Sequence, residues 1–274
     1  MIPESALPDM TVEAPIIDCH AHIFHRGMPF REDAWIRPDY DYTVDRYLAD
    51  LDAHGIAFGV VTAASLYGDY NDYTLAALAT HKRLRATVML DPATRLDELR
   101  RLRDLGVVGV RLQWKTDSHL PDLDGYLWSK FFNRLADCGM HAELNCGAAH
   151  LARVLPVLRR RPMQVVVDHF GLLRSPDGTA GDGFAELIRS IDAGRTWAKV
   201  SAGFRIDPTV RRDGFDRLFA SAGTERLLWG SDAPFVGMED QSSYARSIEI
   251  FREVAPEPKV RRAISDTGLR FYLF

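Results

Sequence analysis

What most constrains this chain is an alternation that runs through almost its whole length: a short β-rich apolar run, then a stretch with helical spacing, eight times over. The apolar runs fall at 16–24, 58–65, 84–90, 107–114, 141–146, 163–170, 197–204 and 227–232. The helical stretches fall at 43–54, 71–82, 94–105, 125–138, 149–160, 183–193, 208–222 and 241–254, and a closing helix is expected over 259–272. Strands that alternate with helices build parallel sheets, and eight such units in about 250 residues meet the requirement of an α/β fold of the (β/α)8 TIM-barrel type. A doubly wound open sheet uses the same units but places a glycine-rich phosphate loop at the first strand-helix junction, and none follows the first run here. With 46% hydrophobic residues the 274-residue chain can bury a large core, and 1–274 reads as one barrel domain behind an extended leader at 1–13.

The remaining composition narrows the function classes. A formal net charge of -4 without any dense Lys/Arg block argues against nucleic acid and membrane surfaces as partners and leaves small-molecule chemistry. Cys19, Cys138 and Cys146 are too few and too irregularly spaced for a disulfide framework or a structural zinc site, which points to a reducing cytoplasm. The first residues lack the basic start and apolar run of a secretory signal, and no later segment is long and apolar enough to span a bilayer. A homo-oligomer stays open.

Active sites of such barrels lie at the C-terminal ends of the strands, so the polar residues there are candidates. The first run carries Asp18, His20 and His22, which period two puts on one face with Ile16; His-x-His presents two ring nitrogens to one metal or one polarised carbonyl oxygen. The second run ends in Ser65, the fourth carries Arg111 with Lys115 beyond it, and the fifth carries Glu143 and Asn145. His169 ends the sixth, Lys199, Ser201 and Arg205 share a face of the seventh, and Asp232 ends the eighth. An imidazole cluster beside a carboxylate can polarise a carbonyl and deprotonate a water, which together make a hydrolytic site. The loop 26–41, with candidate residues Tyr40 and Tyr42, and the segment 172–182 are long enough to shape a pocket. His25, His54, His81, His119, His141 and His150 fall on strand starts, loops or helices and read as structural or exposed.

Asp18-x-His20-x-His22, the segment Asp168-His169-Phe170-Gly171 and the ending Trp229-Gly230-Ser231-Asp232-x-Pro234 together resemble the amidohydrolase superfamily in its amidohydrolase-2 branch. The nearest subgroup is that of 2-pyrone-4,6-dicarboxylate lactonase and the sugar and muconolactone lactonases. The resemblance implies one or two divalent metals, held by the strand-1 histidines, a strand-5 histidine or a strand-4 carboxylated lysine, and the strand-8 aspartate. This chain has Asn145 and Arg111 at the latter two places, so its set of strong ligands is incomplete, and a metal-free site is favoured, as the pyrone-dicarboxylate lactonases imply.

The expected activity is lactone hydrolysis. Asp232 would activate water, while His20, His22 and His169 stabilise the oxyanion. Arg111, Arg205 and Lys115 would meet the carboxylates of an anionic lactone. The resemblance adds Tyr42, Ser65 and Asn145 as orienting groups. A second reading keeps the fold and places one zinc or manganese ion on His20, His22 and Asp232, with Glu143 or a water completing the shell, for a sugar lactone or a decarboxylase-type reaction. A third is a barrel that binds or regulates without catalysis.

Overall fold

The computed structural model describes residues 15–114, 120–173 and 177–274. Eight strands form one parallel sheet in sequence order: β1 (Ile17–Ala21), β2 (Phe58–Val61), β3 (Leu84–Val88), β4 (Val107–Trp114), β5 (His141–Cys146), β6 (Val165–Val167), β7 (Thr196–Ser201) and β8 (Leu227–Gly230). Strands covered on both faces read as continuous apolar runs, and Val165–Val167 is fully buried. Just past β8 the chain returns to β1. Asp232 N–H donates to His20 O at 2.8 Å, His22 N–H donates to Ala233 O at 2.8 Å, and Ala21 pairs with Ala233, so the sheet curls into a barrel.

The expected helices wrap the outside. Leu96–Leu105 shows why: Leu99 and Leu102 share the buried face, its arginines and acids lie elsewhere, and Gly106 at φ 109 ends it in the left-handed region. Helices Ala148–Arg159 and Asp182–Asp192 pack so closely that a Cβ on Gly183 would strike the Ala148 carbonyl. Inside the barrel, Val60, Val108, Val166 and Leu228 cluster with Tyr272 of the last helix (Pro258–Tyr272) toward the N-terminal ends of the strands. Farther along the strands the interior becomes ionic, with Arg111, Glu143 and Lys199 all buried. No described helix is long and apolar enough to cross a membrane.

Several strands stop earlier than their apolar runs. β6 ends at Val167, and His169, Phe170, Gly171 and Leu172 follow with φ of 53°, 56°, 74° and 54°. β7 ends at Ser201, and Arg205 lies in the 3-10 turn Gly203–Arg205 rather than on the strand face shared by Lys199 and Ser201. β8 ends at Gly230, with Asp232 at φ 63°. These departures from strand geometry occur where the chain must turn side chains over the barrel mouth. Left-handed backbone at non-glycine residues costs of order 1–3 kcal/mol each and persists only where surrounding structure holds it.

Candidate active site

The closing seam assembles the site. Asp18 stands on β1 and accepts hydrogen bonds from His20 N (3.0 Å), Ser231 N (2.9 Å), Ser231 Oγ (2.6 Å) and Tyr244 Oη (2.7 Å). It thereby ties the Asp-x-His-x-His segment to the Trp-Gly-Ser-Asp segment. Gly230 completes the fit, since a Cβ there would collide with His20. Around this staple the Nε2 atoms of His20, His22 and His169 lie 3.6, 3.6 and 3.8 Å from one oxygen, Asp232 Oδ1.

Each imidazole is held from behind. His22 Nδ1 lies 2.8 Å from the Thr62 carbonyl, an acceptor only, so Nδ1 carries a proton. His169 Nδ1 meets Ser201 Oγ at 2.8 Å. His20 Nδ1 lies 3.0 Å from Lys199 Nζ and 3.3 Å from Asp168 Oδ1. Burial, with Lys199 adding to it, pushes His20 down to about 3, and burial pushes His169 down to about 4, so both are neutral near pH 7. Burial alone would raise Asp232, but His169, His22 and Arg205 outweigh it and hold the carboxyl well below its usual range. With His169 neutral, the Arg205 guanidinium, whose Nε donates to Asp232 Oδ2 at 3.1 Å, is the fixed charge in that set.

Beneath lies an ionic layer. Lys199 Nζ reaches Glu143 Oε2 at 2.6 Å and Asp168 Oδ1 at 3.4 Å. Arg111 donates to Asp168 Oδ2 from Nε (3.0 Å) and Nη2 (2.8 Å), and to Ala63 O from Nη1 (2.8 Å). Burial raises Asp168, and Lys199 and Arg111 more than reverse it, leaving it well below the ordinary value. Burial and Asp168 raise Glu143, while Lys199 brings it down to about 2.

Of the residues expected at the site, His22, Ser65, Arg111, Asn145, His169, Arg205 and Asp232 line one cavity open to solvent. His20 lies just below it, fully buried. Tyr42 is a correction: its hydroxyl donates to Asp50 Oδ2 at 2.6 Å, and its ring lines a separate groove with His54 and Tyr244. The reason is local, because the bridge Phe24↔Tyr42 turns Tyr42 toward helix Val44–Ala53. Tyr40 likewise lines that groove and donates to Glu239 at 2.8 Å. Glu143, offered as a fourth metal ligand, is instead held by Lys199 away from the cavity. Lys115, His119 and the leader at 1–13 lie outside the described residues. None of His25, His54, His81, His141 and His150 lines the cavity.

Sequence reasoning gave no role to Lys199 or Asp168, and passed over Trp35, Ile206 and Val236, which line the cavity. A lysine inside an otherwise uncharged strand, Thr196–Ser201, was a readable signal for the first. The apolar wall carried none.

Metal ligation can be tested against these positions. His20, His22 and Asp232 offer ligand atoms within 4.8 Å of one another, as do His20, Asp168 and His169. Against this stand Lys199 on the far nitrogen of His20, Arg205 on the second oxygen of Asp232, and an amide, Asn145, where a further strong ligand is needed. Candidate ligand atoms are therefore present, with cations behind two of the residues that carry them.

Comparison with known proteins agrees with the architecture. The chain is 23% identical over 257 residues to a 4-sulfomuconolactone hydrolase of Hydrogenophaga intermedia, covering 90% of this chain and 84% of that one. Among solved structures it superposes with a TM-score of 0.90 on a probable 2-pyrone-4,6-dicarboxylic acid hydrolase of Acinetobacter baumannii with citric acid bound, at 26% identity over 95% of this chain and 100% of that one. A Pseudomonas putida protein given the same provisional name superposes at 0.86, with 34% identity and coverage of 93% and 96%. The amidohydrolase family pattern spans residues 17–272, and the chain belongs to that family.

Proposed function

We propose that this protein is a lactonase, opening a carboxylated lactone with water and without a metal ion, from a barrel that acts as one domain. The observation that carries the reading is the convergence of three imidazole nitrogens on one carboxylate oxygen at the cavity floor. Asp232 accepts a proton from water, and the resulting hydroxide adds to the lactone carbonyl carbon. The carbonyl oxygen becomes an oxyanion beside the imidazoles. Collapse breaks the ring C–O bond, and the leaving alkoxide takes the proton back from Asp232, so the carboxylate is regenerated. The paired acceptors His22 Nε2 and Asp232 Oδ1, 3.6 Å apart, support a donor between them, the place of the attacking water.

Substrate class follows from the cavity and from the relatives. Arg205 and Arg111 edge the cavity, Ser65 and Asn145 offer neutral polar groups, and Lys115 is proposed with them on sequence grounds. The relatives named above act on, or carry names for, acidic lactones, and one holds citrate. Asp232→Asn should lower kcat by about 10²- to 10⁴-fold on dicarboxylate and sugar-acid lactones followed with a pH indicator. Unchanged turnover would remove Asp232 as the base. The ligand-like triad His20, His22 and Asp232 supports one competing reading, a single zinc or manganese ion. Stoichiometric metal in protein purified without chelator, with turnover lost on its removal, would establish it.

A further inference from the structure

Lys199 is fully buried on β7 and takes no part in the steps above. Its Nζ donates to Glu143 Oε2 at 2.6 Å. A donor at 3.0 Å from His20 Nδ1 needs a lone pair on that nitrogen, so the one proton of the neutral ring must sit on Nε2. The rival acceptor for an Nδ1 proton, Asp168 Oδ1 at 3.3 Å, makes no aligned hydrogen bond. Nε2 itself is buried, has no hydrogen-bond partner among the described residues and lies 3.6 Å from Asp232 Oδ1. His22 has the opposite arrangement, with its proton on Nδ1 toward Thr62 O.

We infer that Lys199 is a positioning residue that locks His20 as the Nε2–H tautomer, so that strand 1 offers the substrate carbonyl a hydrogen-bond donor where a metal-holding barrel offers a lone pair. The use of that donor rests on the metal-free lactonase reading, whereas the tautomer rests on hydrogen-bond geometry alone. His20 and His22 then form a complementary pair, one donating and one accepting, on either side of Asp232. A zinc ion could take Nε2 of His20 only after the Nε2 proton had been displaced.

The test is ¹⁵N spectroscopy of the histidine-labelled full chain, with His20 assigned by the signal lost in His20→Gln. Protonated and bare ring nitrogens differ widely in shift. The wild-type protein is expected to show His20 protonated at Nε2. Finding the proton on Nδ1 overturns the inference. Lys199→Met combined with Glu143→Gln removes one charge of each sign and should move the proton to Nδ1, facing Asp168. Its affinity for added zinc, measured by calorimetry with the metal alone, should rise about 10- to 100-fold, the scale on which groups behind a ligand act. Lys199→Arg, which keeps a cationic donor, should retain the wild-type tautomer and weak zinc binding. If the double variant does not fold, loss of the Nε2 proton in Lys199→Met, which carries no donor, supports the inference and its retention overturns it. A bare Nε2 in a protein that still opens lactones refutes only this inference. A protonated Nε2 in a protein inert to all lactones refutes only the functional reading.

Discussion

Lowering the pH from 7 to 5 should cost the chelator-treated protein about 4 kcal/mol of folding stability, well before its buried carboxylates protonate. The largest part of the loss comes from His20 and His169, whose folded values burial pushes to about 3 and about 4, and His141, lowered chiefly by burial, adds in the same direction. An unfolded histidine titrates near 6.5, so the folded values lie below the unfolded one. The stabilisation from keeping these rings neutral is therefore complete above pH ~6.5 and drains away as the pH falls toward the folded values. Each group contributes a slope of about 1.4 kcal/mol per pH unit once its unfolded form is protonated, which integrates to about 2 kcal/mol per ring between pH 7 and 5. Against a typical total of about 5–15 kcal/mol that change is large. Asp168, Asp232 and Glu143 also have depressed folded values, but their contribution is lost only as the pH falls below an unfolded value of about 4. Asp18, raised chiefly by burial, works the other way, gaining as the pH falls through its folded value. Urea unfolding midpoints at pH 7, 6 and 5 measure the slope, and His169→Gln should remove about half of it. A change below about 1 kcal/mol across this window would show that the two rings are not buried neutral, and the argument for them as uncharged donors would fail.

Other perturbations separate packing from chemistry. Arg111→Met leaves Asp168 and the Ala63 carbonyl without their buried donor and should destabilise the fold by about 3–5 kcal/mol in urea titrations, most of it recovered when Asp168→Asn is added. Gly230→Ala must push His20 away from β8; displacements near 1 Å at a reacting centre cost on the order of 10²-fold, so kcat should fall in that range while the circular dichroism spectrum stays that of the wild type. Dialysis against a chelator should leave lactone turnover unchanged, and activity that vanishes and returns with zinc or manganese would shift the assignment to the metal-bearing reading.

The barrel was legible because its signal is periodic: strands buried on both faces and helices with one apolar stripe announce themselves within a dozen residues. The site was legible in part, because barrel topology carries the ends of β1, β6 and β8 to one rim whatever the loops do. Orientation was not. His169 and Asp232 point inward through left-handed backbone, which Asp and His adopt more readily than most side chains but only in a small minority of cases. The ion pair behind Arg111 was hidden because its partner, Asp168, lies 57 positions away in the chain. Tyr42 is turned away at shorter range: the helix that follows the loop provides Asp50, eight positions on, to accept from its hydroxyl.

The charges of the buried cluster explain how a site so rich in arginine can still run on a carboxylate base. Lys199, Arg111 and Arg205 face Glu143, Asp168 and Asp232, three cations against three anions, each cation paired within 3.1 Å of a carboxylate oxygen. Replacing such ions by apolar side chains is often neutral or favourable for stability, so stability alone gives little reason to keep them. Catalysis gives one. In the proposed reaction, proton transfer from water to Asp232 would add one positive charge to the side-chain cluster in the same step in which the lactone oxygen gains one negative charge. The oxyanion is then matched by fixed groups that need not move, the condition under which preorganised electrostatics is most effective. In that proposed step the Arg205 guanidinium would lose the charge of Asp232 and could turn to a carboxylate of the substrate beside the cavity wall. On the proposed function, an acidic substrate would be held most tightly when the base has just been protonated, so that interactions with its carboxylate strengthen in the transition state rather than in the resting complex.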